Sequence, residues 1–292
     1  MGMSQKYLIY LGCAIPYRVS SYEISARKVL DKLGVELVEM PEFNCCGLPL
    51  EPLSHELMLT LSARNLAIAE KVGLNILTLC PGCAGTLKKT GKILKENKVL
   101  REEINRHLKE DGLEFKGNIE VKHISQILIE DVGLDNIKKT IVRPLRGLRV
   151  AGHSGCHLSR PKKYIGFEDP ENPRALKMLI SITGAKPIEY AGETECCGST
   201  IAAIDDKISL SLVREKLLHV KEAGADALIT VCPACHIMYD ANQLRVEKMF
   251  GEKYDIPVLH YTQLLGLAMG MQPEDLGFEE LRVKPTKILE RV

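Results

Sequence analysis

The fold is decided by ARNLAIAEKVGLNILTLCPGC, residues 63–83, where a helical pattern changes into a strand pattern. Apolar side chains recur at helical spacing as far as Gly73, which ends the pattern. NILTLC, residues 75–80, is then a short apolar run that is typical of a buried strand. Pro81 stands where a further helix would begin, a position that proline suits. Helices that alternate with short strands in this way predict an α/β protein with a parallel sheet.

A second copy of this pattern lies in the other half of the chain. EKLLHVKEAGADALITVCPAC, residues 215–235, repeats the helix, the glycine, the strand and the Cys-Pro-x-Cys. VKHISQIL (121–128) and VLHYTQLL (258–265) form another pair, in which a strand end is followed by a histidine and by a Ser or Thr that could cap a helix. Self-similarity of this kind indicates an internal duplication.

Each half is therefore expected to form one Rossmann-like module with a parallel sheet and crossover helices. Stretches such as 55–72 and 207–224 have the apolar spacing of crossover helices. The predicted strands are residues 6–12, 35–40, 75–80 and 119–123 in the first half, and 148–153, 185–190, 227–232 and 256–260 in the second.

A polar segment that contains Pro144, residues 131–147, is the expected link between the modules. We accordingly predict an N-terminal domain over residues 1–140 and a C-terminal domain over residues 141–292. A basic stretch, residues 88–110, lengthens the first half only, and we expect it to form a solvated surface helix.

The composition limits the class of protein. The 292 residues include 39 basic and 38 acidic side chains, so the formal net charge is +1. This balance gives no support to a nucleic acid or an acidic membrane as a partner. The apolar stretches are shorter than the roughly 20 residues that a membrane span requires, and the N-terminus lacks the layout of a signal peptide. We expect a cytoplasmic protein without membrane insertion.

The ten cysteines fall into two sets of five that share one order. In a reducing cytosol, abundant thiols more often bind metal or carry redox chemistry than form disulfides, although the disulfides of a thermophile are an alternative. Structural zinc and an ordinary cubane cluster each take four ligands, so five cysteines per set favour a polynuclear iron–sulfur site over zinc. The sets are Cys13, Cys45, Cys46, Cys80 and Cys83, and Cys156, Cys196, Cys197, Cys232 and Cys235.

Every cysteine group follows a predicted strand. Ligands of open parallel sheets bind beyond the carboxyl ends of the strands, so each set could converge on one site. Gly47 and Gly198 permit the tight turn that aims two adjacent cysteines at one centre. The helix N-termini that follow are expected to stabilise thiolate charge at Cys83 and Cys235.

At these residues the sequence resembles the cysteine-rich CCG-domain family, and within it the B subunits of heterodisulfide reductase from methanogenic archaea. The resemblance extends from Cys13 to the helix after His260. It implies that each five-cysteine set holds a non-cubane [4Fe-4S] cluster, in which two smaller iron–sulfur units share atoms. It further implies that the two clusters face one another and together reduce the disulfide of coenzyme M and coenzyme B, with one sulfur captured at each.

The resemblance also implies partners. These are the ferredoxin-like C subunit and the FAD-containing A subunit of heterodisulfide reductase, together with a hydrogenase or formate dehydrogenase that delivers electrons through the flavoprotein in the electron bifurcation of methanogenesis. The sequence contains neither a ferredoxin-type C-x-x-C-x-x-C-x-x-x-C run nor a G-x-G-x-x-G after a strand. We therefore expect the electrons to come from another subunit.

Several other residues are candidates for contacts near the clusters. Coenzyme M carries a sulfonate and coenzyme B a phosphate, so Arg18 and Arg160, which follow Cys13 and Cys156, are candidates to bind them; a solvated surface charge is the alternative. His123 and His260 recur at corresponding strand ends. We favour simple packing against the following helix over a role in supplying a hydrogen bond or a proton near each cluster.

Two other functions compete with disulfide reduction. One is an electron-transfer CCG subunit of a 2-hydroxy-acid or glycerol-phosphate dehydrogenase, although such relatives usually include a ferredoxin-like segment or serve a quinone. The other is a zinc-binding scaffold with no redox role.

Overall fold

The computed structural model describes residues 5–291 and contains two four-stranded parallel sheets. The first has the strand order β2-β1-β3-β4, and the second has the order β6-β5-β7-β8. All eight predicted strands and the predicted fold class are confirmed. The outer ends of the predicted domains, residues 1–4 and 292, lie outside the described residues. The strands are β1 (Gln5–Tyr10), β2 (Val35–Val38), β3 (Ile76–Thr78), β4 (Val121–His123), β5 (Arg149–His153), β6 (Lys186–Ile188), β7 (Ala227–Thr230) and β8 (Val258–His260).

Helices connect the strands, and the two predicted crossover helices are present as α3 and α10. The predicted link contains the short helix α7. The α-helices are α1 (Ile15–Arg18), α2 (Ser20–Lys32), α3 (His55–Val72), α4 (Pro81–Glu96), α5 (Lys98–Leu108), α6 (Ile124–Gln126), α7 (Leu134–Lys139), α8 (Lys162–Ile165), α9 (Ala175–Ile182), α10 (Asp206–Glu222), α11 (Pro233–His236), α12 (Gln243–Phe250), α13 (Tyr261–Ala268) and α14 (Thr286–Leu289). Among residues 5–291, no helix is long and apolar enough to cross a membrane.

The helices α3 and α10 correspond residue by residue. Ser54 caps the first by accepting a hydrogen bond from a backbone N–H of its first turn, and Asp205 caps the second in the same way. Both helices are followed by a glycine with positive φ, Gly73 and Gly224. Between this glycine and the Cys-Pro-x-Cys, the second half has one residue more than the first half. Aligning residues 63–83 with residues 215–235 by their cysteines therefore misaligns the helices by one position.

The two halves differ most after the Cys-Pro-x-Cys. The predicted basic insertion forms the end of α4 and the whole of α5, but it is not purely a solvated surface helix, because Leu94 and Ile104 are fully buried. The second half also continues with helices here, as a π-helical turn over Ile237–Ala241 leads into α12. Both halves therefore have helices after the Cys-Pro-x-Cys, and the helices of the first half are longer.

The two sheets share a core. One hydrophobic cluster contains Leu77 and Ile124 from the first half together with Ile229 and Leu259 from the second. The helices α2 and α13 pack against each other across this boundary. The shared core fixes the position of one sheet relative to the other, and with it the positions of the loops at the strand ends.

Candidate metal centres

The cysteines lie beyond the carboxyl ends of the strands, as predicted from their positions in the sequence, either in loops or in the first turn of a following helix. In each half the single cysteine follows the first strand, the cysteine pair follows the second, and the Cys-Pro-x-Cys follows the third. All ten cysteines are free thiols. The disulfides considered as an alternative are therefore not formed.

In the first half, four thiols form a continuous chain of contacts. Cys46 hydrogen-bonds to both Cys45 and Cys83, and Cys83 also hydrogen-bonds to Cys80. Hydrogen bonds from Cys45 and then Cys83 lower the pKa of Cys46 to about 3. Cys13 is exposed at the edge of this group, where its charge acts on Cys45. The first set of five thiols is thus brought together, and we call it the first site.

The second half repeats this arrangement with all five thiols in one chain. Contacts run from Cys156 to Cys196, from Cys196 to Cys197, from Cys197 to Cys235, and from Cys235 to Cys232. Hydrogen bonds from Cys156 and then Cys197 lower the pKa of Cys196. We call this set the second site.

Both cysteine pairs depend on the glycine that follows them. Gly47 and Gly198 have φ of 85° and 80°, a conformation that side chains other than hydrogen disfavour. Their N–H groups point to the sulfur atoms of Cys45 and Cys196, each at 3.4 Å. A Cβ at residue 47 would lie 2.9 Å from the Cα of Met58. The predicted role of these glycines in the tight turn is confirmed.

The helix N-terminus of the second half acts on Cys232. Hydrogen bonds to neighbouring thiols, and then burial, raise the pKa of Cys83 and Cys235. A hydrogen bond from the Cys235 thiol and backbone N–H groups at the start of α11 instead lower the pKa of Cys232. Cys232 is the N-cap residue of that helix, so it lies at the end where backbone N–H groups have no partner within the helix.

His123 joins the loops of the two sites. Its Nδ1 accepts a hydrogen bond from the N–H of Ser125, so the ring proton is on Nε2. This Nε2–H is shared between the carbonyl oxygens of Leu79, at 3.2 Å, and Val231, at 3.1 Å. Leu79 precedes Cys80 and Val231 precedes Cys232, so one imidazole ties the Cys-Pro-x-Cys loops of both halves together.

Tyr22 and His157 lie in the same junction. The Tyr22 hydroxyl donates to the Val231 carbonyl at 3.1 Å. The Nδ1 of His157 is 3.4 Å from the sulfur of Cys156, and the charges of Cys196 and Cys46 both act on its ring. The two sites are therefore neighbours, and His157 stands close to both.

Simple packing, which we expected for both strand-end histidines, describes His260 but not His123, whose Nε2–H bonds to the loops of both sites. His123 is the N-cap of α6, and His260 is fully buried. The ring of His260 is stacked between Tyr22 and His236, with centroids 4.0 Å away on each side.

The two candidate arginines have different surroundings. Arg18 is exposed and lines a small cavity of about 110 Å³ with His236 and Arg282, between α2 and the π-helical turn after α11. Arg160 is half-buried and donates to the carbonyl oxygen of Pro170 at 3.0 Å. Arg160 is also paired with Glu171 at 3.6 Å, whereas Arg18 is exposed, although the carboxylates of Asp240 and Glu280 line the same cavity.

Lys216 is a residue of the second site that sequence reasoning missed. It is only 1% exposed, and the charges of Cys235 and Cys197 act on its ammonium group. A signal for it was present, because Val213, Lys216, Leu217 and Val220 follow the i, i+3, i+4, i+7 pattern of a buried helix face. Lysine is rarely buried without a partner, so a lysine on a buried helix face indicates a specific contact.

The chemistry of the donors fits a polynuclear iron–sulfur group. Five free thiols per site are soft donors, the type that iron–sulfur clusters and zinc select. Within residues 5–291, no group of three or more His, Cys, Asp or Glu side chains is arranged to hold a single metal ion. The thiols of each site form a chain of contacts, which keeps these soft donors together.

Comparison with known proteins identifies relatives over the whole chain. The model of the cysteine-rich domain family CCG matches twice, over residues 7–88 and 150–240. The chain is 36% identical over 291 residues to the B subunit of the ferredoxin/F420H2-dependent CoB-CoM heterodisulfide reductase of Methanosarcina acetivorans, covering 98% of this chain and 97% of the relative. It is 28% identical over 290 residues to the 8-methylmenaquinol:fumarate reductase membrane anchor subunit of Wolinella succinogenes, covering 98% and 100%.

A solved structure shares the fold over most of this chain. A hypothetical protein from Helicobacter pylori superimposes with a TM-score of 0.78 at 18% identity, over 96% of this chain and 52% of that chain. At this identity the likeness shows the fold alone.

Proposed function

The chain belongs to the cysteine-rich CCG family and, within it, to the heterodisulfide reductase B subunits, and from this premise we propose that it binds two iron–sulfur clusters and reduces a heterodisulfide to two thiols. The observation that carries the proposal is the pair of neighbouring five-thiol sites tied together through His123. We further propose that each domain, residues 1–140 and 141–292, supplies one site.

The ten cysteines would hold two non-cubane [4Fe-4S] clusters, five thiolates to each. Such clusters, when bound, would take up electrons singly and bind sulfur. The adjacent cysteines on the turns at Gly47 and Gly198 suit neighbouring irons, because one short turn presents two sulfurs to one centre. We propose that Gly47 and Gly198 are needed for cluster binding because they permit this turn.

The reaction consumes two electrons and two protons. The S–S bond of the heterodisulfide breaks, each sulfur gains one electron and one proton, and two thiols leave. Two sites side by side suit a substrate with two equivalent reacting atoms, since neither site has to accommodate both sulfur fragments. The chain would contribute the spacing of the sites through His123 and Tyr22, and anion binding through Arg18 and, more weakly, Arg160.

The electrons would come from other members of a complex. The relatives are named as B subunits, which implies further subunits. We propose a ferredoxin-like C subunit and an FAD-containing A subunit as partners, with the coenzyme M–coenzyme B disulfide as substrate. The role of an electron-transfer component of a dehydrogenase has less support, because the relatives with 35–36% identity over 98% of the chain are named heterodisulfide reductase B subunits, whereas the fumarate reductase anchor subunit is 28% identical.

Anaerobically purified protein is expected to reduce the coenzyme M–coenzyme B disulfide with a strong artificial one-electron donor, and to need its partner subunits for a physiological donor. Thiol release, followed with a thiol reagent, measures both activities. Protein that contains iron–sulfur clusters but releases no thiol with the artificial donor would contradict the proposed reaction. Efficient use of the physiological donor by the isolated chain would contradict the proposed partners.

A further inference from the structure

The two sites differ in one buried charge, and this difference would decide where an electron resides. We propose that the ammonium group of Lys216 raises the reduction potential of the second site above that of the first. The first electron that the chain accepts from a one-electron donor would then reside at the second site. This inference rests on the proposed function, because it requires an iron–sulfur cluster at each site.

Lys216 is held beneath the second cysteine pair. Its Nζ donates to the carbonyl oxygens of Gly192 and, at 3.3 Å, of Glu193, in the loop that leads to Cys196. It also lies 5.2 Å from the ring centroid of Tyr190. These contacts fix the ammonium group in a place with almost no access to solvent.

The corresponding place in the first half carries no charge. Asn65 and Lys216 stand the same number of residues after their N-caps, Ser54 and Asp205. The Asn65 side chain is fully buried and donates to the side-chain oxygen of Asn44 at 2.9 Å. A neutral amide thus supports the first cysteine pair where an ammonium group supports the second.

The other charges nearby offset this difference only in part. The carboxylate of Glu195 acts on the Lys216 ammonium group more strongly than either cysteine does, but it is exposed, so water screens its charge. Glu193 also acts on Lys216, but it is paired with Lys177 at 3.0 Å. On the helix after the first site, Lys89 is paired with Glu51. Burial lowers the pKa of Lys216 to about 8, which leaves it charged at pH 7.

A buried positive charge favours reduction because reduction adds negative charge to a cluster. Charges inside a protein interact several times more strongly than in water. Removing the charge of Lys216 should therefore lower the equilibrium constant for reduction of the second site by at least about tenfold, which corresponds to 59 mV for a one-electron step.

A redox titration of the cluster-containing protein, followed by electron paramagnetic resonance, tests this inference. The wild type should show two steps of different potential. Lys216→Gln, which keeps a hydrogen-bond donor and removes the charge, should lower the higher-potential step and leave the other unchanged. Lys216→Met is a second variant of similar length, with the same expected shift, in case the first does not retain its clusters.

The matched control is Lys221→Gln on the same helix. The Lys221 ammonium also bonds a backbone carbonyl, that of Lys253, and lies near an aromatic ring, that of Tyr254, but at the surface. It should shift neither step. Unchanged potentials in both Lys216 variants, or a shift confined to the lower-potential step, would overturn the inference while the proposed function stands. A wild-type protein without iron–sulfur signals would contradict the proposed function itself.

Discussion

Replacing either Cys46 or Cys197 with serine is expected to abolish disulfide reduction almost as completely as replacing both. Each residue is buried at the centre of its site, between the other cysteine of its pair and the Cys-Pro-x-Cys. If both sites act on one disulfide, losing either leaves one sulfur fragment without a place to bind. Residues that act as a unit show this strong non-additivity. We expect the single variants to be within about tenfold of the double variant in turnover.

The measurement compares thiol release by the two single variants and the double variant, after iron analysis of each. Ser211→Ala is the control, because Ser211 is on the exposed face of α10 and bonds only to the Lys207 carbonyl within its helix. If one single variant retains substantial activity, its site is an electron relay or a structural remnant, and the mechanism in which both sites share one substrate is wrong.

Replacing His123 with leucine is expected to lower the free energy of unfolding by about 3 kcal/mol. It removes the donor to the Leu79 carbonyl and the acceptor of the Ser125 N–H, and each unsatisfied group costs about 1–3 kcal/mol. The Val231 carbonyl keeps its hydrogen bond from Tyr22. Denaturant unfolding measures the loss. Tyr22→Phe is the matched control, since it removes one hydrogen bond to the same Val231 carbonyl and should cost about 1 kcal/mol. A His123→Leu variant as stable as Tyr22→Phe would contradict the proposed tie between the halves.

The same variant should change the response to acid. Burial lowers the pKa of His123 from 6.5 to about 4. Between pH 6.5 and about 4, the unfolded chain therefore binds a proton at this residue that the folded protein does not bind. The contribution of His123 to the free energy of unfolding is complete above pH 6.5 and is lost as the pH falls to about 4. The His123→Leu variant lacks this contribution, and its stability should fall less steeply between pH 6.5 and 4. His153 and His236 keep part of the slope, because burial lowers their pKa as well.

Local patterns predicted the fold because several strands are short apolar runs that end near a glycine or a cysteine loop, as β3 and β7 do. The duplication then predicted eight strands and two equal sheets, and all of these are present. The family predicted from the cysteine spacing is also confirmed by relatives over the whole chain. These features depend on residues that are close together in the sequence, so they can be predicted from a single sequence.

Features that depend on contacts between the halves could not be predicted in this way. The bond from Tyr22 to Val231 joins residues 209 positions apart, and His123 reaches Val231 over 108 positions. No periodicity in the sequence indicates which loops meet across two sheets. The correspondence of Lys216 with Asn65 was missed for another reason. The two halves were aligned by their similar Cys-Pro-x-Cys stretches, and this alignment shifts the helices by one residue.

The central claim is that each half of the chain holds one multinuclear iron centre in its five-cysteine site. Anomalous scattering at the iron edge, measured on crystals of anaerobically purified protein, tests this claim most directly. We predict two separate multinuclear iron centres, one among Cys13, Cys45, Cys46, Cys80 and Cys83 and one among Cys156, Cys196, Cys197, Cys232 and Cys235. A single centre, or sites in which the signal appears at the zinc edge instead, would contradict the claim.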